Sequence, residues 1–227
     1  MVGCQKEEEV ESVKEFEANG IYYQLDPQNS TAMVKGCSMN RTGTIAIPEI
    51  VPHEGNIYVV TSIEKGAFRG CNSLTTINFS SSVSSIGDEA FYNCSSLAKI
   101  NFPTNSQLSS IGYEAFYNCS SLTSIKIPAG VTSIGYGTFY NCNSLTTTTI
   151  PESVTAIGNN AFHGCSRLTT VNVLAVTPPL ADYSSFDCKD TYYWGTLIDA
   201  TLYVPEGTID IYKKTHPWYY FEEIKEY

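Results

Sequence analysis

The sequence is poor in the residues and motifs that enzymes most often use for chemistry. It holds three histidines among 227 residues, and the spacing of His53, His163 and His216 matches neither a zinc site nor a catalytic triad. The glycine-rich phosphate loop, the G-x-S-x-G nucleophile elbow and the H-E-x-x-H zinc helix are also absent. These absences predict a protein that is not an enzyme, with no catalytic residues, no cofactor and no metal site.

Long apolar runs and positive charge are scarce as well. The sequence contains no run of about 18 apolar residues, the length that a membrane-spanning helix needs. Acidic residues number 23 against 13 basic ones, which gives a formal net charge of −10. Residues 63–180 hold five acids and five bases, whereas residues 1–62 and 181–227 each hold nine acids and four bases. A nucleic acid partner is not expected, since its phosphates need a basic face.

What the sequence has instead is one motif written five times between Ile63 and Leu180. The copies start at intervals of 23, 25, 23 and 23 residues. With conservative changes, each reads Ile-Gly-x-x-Ala-Phe-x-x-Cys-x-x-Leu-x-x-Ile-x-Ile-Pro. Such a period is typical of a solenoid, in which each copy forms one coil that stacks on the next. The motif starts are Ile63, Ile86, Ile111, Ile134 and Ile157.

The apolar positions of the third copy predict how one coil folds. Leu122, Ile125 and Ile127 have the L-x-x-I-x-I spacing of a leucine-rich-repeat strand, with the two isoleucines on one face. Pro128 ends the strand because it lacks the N–H that a ladder needs. Gly135 gives the next corner a residue that tolerates a positive φ.

The Ala-Phe-x-x-Cys segment of each copy predicts a short helical turn that packs inward. Its cysteines occupy the same phase of five successive coils, so we expect an inward stack of free thiols rather than disulfides. Ligands on different coils, without C-x-x-C clustering, also disfavour a metal site. The pairing of Cys37 and Cys188, which fall in the caps, stays open. The stacked cysteines are Cys71, Cys94, Cys119, Cys142 and Cys165.

The motif resembles the BspA-type leucine-rich repeat of bacterial surface proteins. The resemblance is full over Ile63–Leu180 and degenerate over about Thr44–Pro205. It implies a curved parallel-β solenoid and a surface protein that binds other macromolecules, and it implies no reaction. The predicted fold class is therefore a β-rich solenoid: a leucine-rich repeat array of about five full coils with short helical turns and N- and C-terminal caps.

The chain is predicted to have four segments, because an open solenoid end would expose core and unpaired strand edges. Ile21–Leu25 and Thr31–Val34 predict a hairpin in the N-terminal cap, and Val51–Val59 predicts a second hairpin inserted in its degenerate coil. The segments are an acidic disordered tether (1–17), an N-terminal cap of a hairpin plus a degenerate coil (18–62), the five-copy solenoid (63–180) and a degenerate last coil with a C-terminal cap (181–227).

In the last segment the motif continues in degenerate form. Ser185–Cys188 and Leu202–Pro205 match parts of it, and Lys189–Asp199 is predicted to be an inserted loop. A short helix is expected from Thr208, as its N-cap, to Lys214. The residues predicted to close the array are Pro217, Trp218 and Phe221.

Near the start of the sequence, Val2-Gly3-Cys4 resembles the end of a bacterial lipobox, in which the cysteine is lipidated. Gln5–Glu9 resembles the Lys-acidic export tag that some bacterial surface lipoproteins carry after that cysteine. We therefore predict a lipid anchor at Cys4 and a bacterial cell-surface or extracellular location, with membrane contact only through this anchor. The alternative is a solvated acidic tether with one incidental cysteine.

Two rows of variable side chains are candidate binding surfaces, because variable positions of a solenoid stack in rows. The outward positions of the repeated strands form the sheet face, which is polar and rich in threonine. The residues that follow each Ala-Phe form the aromatic row: Arg69, Tyr92, Tyr117, Tyr140 and His163. The alternatives are that threonine simply favours exposed strands and that the rings stiffen the corner. The candidate binding residues are Tyr92, Tyr117, Tyr140, Tyr113, Tyr136, Lys99, Lys126, Thr123 and Thr147.

The predicted function is recognition or adhesion at a cell surface, by a non-enzymatic module that binds protein or extracellular-matrix ligands. One alternative is a glycan-binding accessory lipoprotein that stacks sugars on the tyrosines, and another is a structural spacer. Aromatic residues dominate binding hot spots, so we expect affinity to depend more on the aromatic row than on the sheet face. Thr148 stands where other copies have isoleucine or valine, so its hydroxyl is predicted to point inward.

Overall fold

The computed structural model describes residues 14–38, 41–188 and 198–227. These residues form strands and turns almost throughout. The helices are α1 (Ile209–Tyr212) and two 3-10 helices, Tyr183–Phe186 and Trp218–Tyr220. The strands are β1 (Lys14–Ala18), β2 (Ile21–Asp26), β3 (Thr31–Cys37), β4 (Gly43–Ala46), β5 (Ile50–His53), β6 (Asn56–Ile63), β7 (Leu74–Asn78), β8 (Ser85–Ile86), β9 (Lys99–Asn101), β10 (Ser110–Ile111), β11 (Ser124–Lys126), β12 (Ser133–Ile134), β13 (Thr147–Ile150), β14 (Ala156–Ile157), β15 (Thr170–Val173), β16 (Ile198–Val204) and β17 (Phe221–Glu226).

The N-terminal cap is a mixed sheet built on the predicted hairpin. β2 and β3 pair antiparallel, which confirms that hairpin, and β5 and β6 form the predicted inserted hairpin. β1 adds to the free edge of β2, so residues 14–17 are a paired strand and the prediction of a disordered tether is wrong for them. The physical reason is Phe16, whose ring stacks on Tyr23 with 5.4 Å between centroids.

The coils contribute strands to two parallel sheets, and in the fifth copy the back position is a single bridge between Ala156 and Leu180. Strands with the L-x-x-I-x-I pattern form the front sheet, in the orders β4–β7–β9 and β11–β13–β15–β16–β17. Short strands that precede the next coil form the back sheet, in the orders β6–β8–β10 and β12–β14. Equivalent residues lie opposite each other across coils, as Ile125, Thr148 and Val171 do. The predicted β-rich leucine-rich repeat solenoid is confirmed.

The Ala-Phe-x-x-Cys segments form a third side as hydrogen-bonded turns rather than helices. The backbone N–H of Phe91 donates to the carbonyl of Ala115 at 2.8 Å, and that of Phe116 donates to Thr138 in the following coil at 2.9 Å. A helix cannot propagate here because two residues of each copy have positive φ, which breaks right-handed helical geometry. In the third copy they are Glu114, at 54°, and Asn118, at 55°.

Gly135 does not use its tolerance of a positive φ, because the positive φ of that corner belongs to Gly137, at 57°. The second motif position is instead occupied by glycine because two coils approach closely there. A Cβ at Gly112 would lie 2.4 Å from the backbone nitrogen of Asp88 in the preceding coil. A side chain at this position would therefore force the coils apart.

The core consists of equivalent residues stacked along the solenoid. Ring centroids of neighbouring phenylalanines lie 5.0–5.5 Å apart with nearly parallel planes. Because every coil presents its ring to the next one, stacking buries a core that a single coil could not bury. The stacked phenylalanines are Phe68, Phe91, Phe116, Phe139, Phe162 and Phe186.

The five motif cysteines are buried free thiols, as predicted. Each thiol from the second copy onward donates to a phenylalanine carbonyl of the preceding coil, as Cys94 does to Phe68 at 3.0 Å. The cap cysteines extend this ladder at both ends. The Sγ atom of Cys37 lies 3.7 Å from that of Cys71, and the Cys188 thiol lies 3.6 Å from the carbonyl of Phe162. The sequence left these two residues open, and both are free thiols.

The C-terminal cap covers the end of the phenylalanine stack, as predicted. Trp218 is fully buried and its ring lies 5.4 Å from that of Phe186. Its indole nitrogen donates to the carbonyl of Pro179 at 2.9 Å, which satisfies the polar atom of the buried ring. The hydroxyl of Tyr212 donates to the carbonyl of Ala175 at 2.7 Å.

The degenerate last coil is formed by β16, which pairs parallel with β15 as the Leu202–Pro205 match predicted. α1 begins after Thr208 but ends at Tyr212, short of Lys214. The Thr208 backbone is helical, so its hydroxyl donates to the carbonyl of Pro205 and caps no helical N–H. Of the predicted loop, residues 189–197 lie outside the described part of the chain, and Asp199 belongs to β16.

Candidate functional site

The sheet face turns its side chains to solvent along the front of the array. Among its predicted site residues, Lys99, Thr123 and Lys126 are exposed and Thr147 is half-buried. Lys99 and Lys126 are the charged side chains among the outward positions of this face, so its charge is positive. The outward positions are Thr75, Thr76, Asn78, Ala98, Lys99, Asn101, Thr123, Ser124, Lys126, Thr146, Thr147, Thr149, Thr169, Thr170 and Asn172.

Some threonines of the sheet face hold neighbouring coils together. The hydroxyl of Thr146 donates to the backbone carbonyl of Thr123 at 3.1 Å. The hydroxyl of Thr169 donates in the same way to Thr146 at 3.2 Å. Substitutions of these two residues would therefore change stability as well as surface chemistry. Ser124 and Thr147 lie opposite each other at the start of β11 and β13.

The aromatic row is one continuous stack along the corner of the array. The rings of Tyr92 and Tyr117 lie 4.6 Å apart at 4°, and those of Tyr117 and Tyr140 lie 4.6 Å apart at 5°. His163 stacks on Tyr140 at 4.7 Å, and the guanidinium carbon of Arg69 lies 4.5 Å from the centre of Tyr92. Burial and the neighbouring phenols raise the pKa of Tyr117. Because the tyrosine ring faces cover each other, the row offers a ligand ring edges and hydroxyls.

The two other predicted tyrosines lie apart from this stack, on the back of the array. Tyr113 is 62 % exposed and Tyr136 is 47 % exposed. They border a shallow depression of about 520 Å³ that also contacts Leu180, which is 78 % exposed. The structure therefore divides the predicted site residues among three surfaces: the sheet face, the aromatic row and this depression.

A groove of about 610 Å³ opens at the carboxyl ends of the front strands β9, β11 and β13. Of the predicted site residues, Lys126 lines it. It is also lined by Phe102, Pro103 and Leu174, which are not among the binding residues predicted from the sequence. One signal was present, since the copy that contains Phe102 is the one that is 25 residues long. The full lining is Ile100, Asn101, Phe102, Pro103, Thr104, Ser106, Lys126, Ile127, Pro128, Ala129, Thr149, Pro151 and Leu174.

The histidines of the described residues lie apart from one another in the fold. No group of three or more histidine, cysteine, aspartate or glutamate side chains there is placed to hold a metal ion. The histidines lie in separate places: His53 packs on Phe16 in the N-terminal cap, His163 ends the aromatic row, and His216 contacts Tyr219 in the C-terminal cap. In the same part of the chain, no helix has the length and apolar character to span a membrane. Cys4 lies outside the described residues.

Comparison with known proteins identifies the repeat. The model of the BspA type leucine rich repeat region matches residues 58–189 as six copies, one more than the five full copies in the sequence pattern. Among solved structures, the T. pallidum leucine rich repeat protein is 28% identical, over 94% of this chain and 86% of that one, with a TM-score of 0.68. No curated protein matches the chain.

Two further solved structures are more distant. A leucine rich cell surface protein from Faecalibacterium prausnitzii is 22% identical, over 94% of this chain and 73% of that one, with a TM-score of 0.49. A leucine-rich repeat protein from Bacteroides ovatus is 21% identical, over 93% and 76%, with a TM-score of 0.44. The family match covers more than half of the chain and the T. pallidum structure has the same fold over nearly all of it, so the protein belongs to the BspA-type leucine-rich repeat family.

Proposed function

We propose that this protein is a non-enzymatic recognition module that binds a protein or extracellular-matrix ligand through the sheet face. Members of the family are generally interaction modules rather than catalysts. The observation that carries the proposal is the exposed set of polar side chains on the front sheet, which includes Lys126 and is held in register across β11, β13 and β15. Strand pairing fixes their spacing, so a ligand that spans several coils would bind with little ordering of the protein.

The geometry of the aromatic row supports this choice of surface. Each tyrosine of the row has its ring faces covered by neighbours, and hot-spot aromatics contribute mainly through area that a partner can bury. A sugar ring stacks on an aromatic face, so the same coverage disfavours glycan stacking on Tyr92, Tyr117 and Tyr140. The stack instead packs the corner, where it joins four successive coils.

The proposal can be tested by binding to a panel of purified extracellular-matrix proteins and glycans. In a sheet variant, Ser124→Arg with Thr147→Arg, we expect at least about tenfold weaker affinity, because two long side chains obstruct the face. A row variant replaces Tyr92, Tyr117 and Tyr140 by Phe, which keeps the stack and removes the exposed hydroxyls. We expect its affinity to change less than about threefold, because the row lies outside the proposed site. A hydroxyl that bonded the ligand would contribute about 1 kcal/mol, so its loss would weaken binding about fivefold.

The control for both variants is an unchanged circular dichroism melt. If the row variant loses binding and the sheet variant does not, the ligand contacts the phenol edges and the sheet face is not the site. If the parent protein binds no member of the panel, the result favours the function of a structural spacer.

We also propose display at the bacterial cell surface through a lipid on Cys4. The support is the resemblance of Val2-Gly3-Cys4 to the end of a lipobox and of Gln5–Glu9 to the export tag that follows a lipidated cysteine. Growth of the parent bacterium with an alkyne palmitate analogue should label the protein, and Cys4→Ser should abolish the label. An unlabelled parent protein would contradict the anchor and would leave the recognition proposal in place.

A further inference from the structure

The groove at the carboxyl ends of the front strands arises from an irregularity in the repeat. The second copy is 25 residues long, whereas the others are 23, and its extra residues fall between Asn101 and Ile111. The chain there makes its own turn, in which the Ser106 N–H donates to the carbonyl of Pro103 at 3.1 Å. The following copy lacks these residues, so its turn after the front strand is two residues shorter.

This mismatch divides both parallel sheets at the same joint. Within the described residues no ladder pairs β9 with β11 on the front or β10 with β12 on the back. The strands remain neighbours, with Cα atoms within 8 Å. The groove opens where the front ladder is interrupted, between the Phe102–Ser106 turn and the end of β11.

Part of the groove wall is apolar and built from side chains with few rotatable bonds. The ring of Phe102 stacks on Phe79 at 4.9 Å, so one face is held and the rest borders the groove. Pro103, Pro128 and Pro151, from three successive coils, line the same wall. Proline has a fixed φ and no N–H, so this wall has few rotatable bonds and lacks three backbone donors. Leu174, which is 37 % exposed, lies at the far end.

The charge of the groove has one sign. Lys126 is its charged side chain, and no aspartate or glutamate is among the lining residues. Lys99 is exposed on β9, the strand on the other side of the interrupted joint. This local excess of positive charge lies on a protein whose formal net charge is −10. It complements a negatively charged group on a partner, since interfaces place opposite charges together.

We propose that the groove binds a segment of a partner protein in which an aspartate or glutamate adjoins a large apolar side chain. The carboxylate pairs with Lys126, the adjoining apolar side chain packs on Phe102, and the segment extends along the groove to Leu174. The proposal rests on the proposed recognition function and names the chemistry of its ligand at one end of the sheet face.

The test uses the full chain and three fluorescein-labelled eight-residue peptides in anisotropy titrations. The first peptide is made of glutamate, leucine and glycine, and the other two carry glutamine or lysine in place of every glutamate. We expect the acidic peptide to bind tightest and the lysine peptide weakest. Lys126→Glu should weaken the acidic peptide at least about tenfold and tighten the lysine peptide. Leu174→Ser should weaken the acidic and glutamine peptides by a similar factor.

Two matched variants serve as controls. Lys214→Glu makes the same charge change at an exposed residue of the C-terminal cap, and Val176→Ser removes an aliphatic side chain that is 65 % exposed and lies outside the groove lining. Neither should change the order of the peptides. Equal binding of all three peptides, no binding of the acidic peptide up to about 1 mM, or the same response to Lys126→Glu and Lys214→Glu would overturn the proposal.

The failure of this proposal is distinct from failure of the recognition function. Suppose that a protein ligand fails to bind the Ser124→Arg and Thr147→Arg variant, but that its binding is unchanged by Lys126→Glu and by added acidic peptide. This result would refute the groove proposal alone. Competition between that ligand and the acidic peptide would support both.

Discussion

The hydroxyl of Thr148 lies in the core without a hydrogen-bond partner. The residue is fully buried, between Ile125 and Val171 of the neighbouring coils, as the motif predicts. A buried hydroxyl without a partner costs about 1–3 kcal/mol, and valine replaces it with a methyl group of similar size. We expect Thr148→Val to leave the free energy of unfolding unchanged or to raise it by up to about 2 kcal/mol in urea melts.

The control for this prediction is Thr147→Val, at the outward position beside it, which should change stability by less than about 0.5 kcal/mol. A clear loss of stability in Thr148→Val alone would show that the hydroxyl has a strong partner.

Single residues also show where sequence reasoning stops. The inward column that contains Thr148 follows from strand alternation and needs no structure. The corner does not, because the position with positive φ is held by different residue types, Glu114 in one copy and Gly137 in another. The glycine at the second motif position, such as Gly112, is set by close contact with the preceding coil. Glycine suits both a positive φ and a close contact between coils. The sequence alone does not show which of the two selects it, because the contact is visible only in the stacked array.

At the scale of elements, the cysteine ladder is a column of thiols shielded from water. Burial raises the pKa of Cys94 to about 12 and also raises the pKa of Cys119, Cys142 and Cys165. Since the thiolate is the reactive form, we expect slow alkylation by iodoacetamide in native buffer and fast alkylation in denaturant. Reductant should leave the melting temperature nearly unchanged. A large drop on reduction would mean that disulfides hold the array.

The same burial gives the sign of the pH dependence. In the unfolded chain these thiols ionise near pH 8.5, whereas in the folded chain they stay protonated to higher pH. The folded state then binds more protons, so stability falls as the pH rises above about 9. Urea melts at pH 8 and pH 10 measure this fall, and equal stability at both values would contradict the buried ladder.

Elements also differ in how far sequence predicts them. Equal spacing places Tyr92, Tyr117 and Tyr140 on successive coils, so their proximity follows from the repeat period. Whether the rings stack or splay depends on side-chain torsions, which the period leaves undetermined. The groove is harder still, because Phe102, Lys126 and Leu174 come from three coils and meet only where a two-residue insertion interrupts the ladder. The insertion is visible in the sequence, and its consequence is visible only in the stacked array.

For the whole molecule, stability is a sum of coils and of contacts between neighbouring coils, as in other solenoids. The contacts are not equal along the array. Both sheets are interrupted at one joint, between β9 and β11 and between β10 and β12, within the described residues. Backbone hydrogen bonds of the corner still cross this joint, as from Phe91 to Ala115. We infer that the coils on the two sides of the joint are coupled more weakly than the coils within each side.

This inference predicts how far damage at the C-terminal cap spreads. Trp218 is fully buried against Phe186, and truncation of such a residue costs about 3–5 kcal/mol. In Trp218→Ala we expect faster amide hydrogen exchange in peptides from residues 124–188 and 198–227. Exchange should stay unchanged in residues 43–101, because the interrupted joint limits the transmission of the loss. Hydrogen exchange mass spectrometry measures each region separately.

The matched control is Tyr219→Ala, which truncates the neighbouring ring, 43 % exposed, and should leave exchange in the array unchanged. The informative comparison is between the two sides of the joint within the same Trp218→Ala sample. If protection falls equally on both sides, the array unfolds as one cooperative unit and the interrupted ladders carry no energetic boundary. If it falls only beyond the joint, the two-residue insertion that opens the groove also divides the solenoid into two units of different stability.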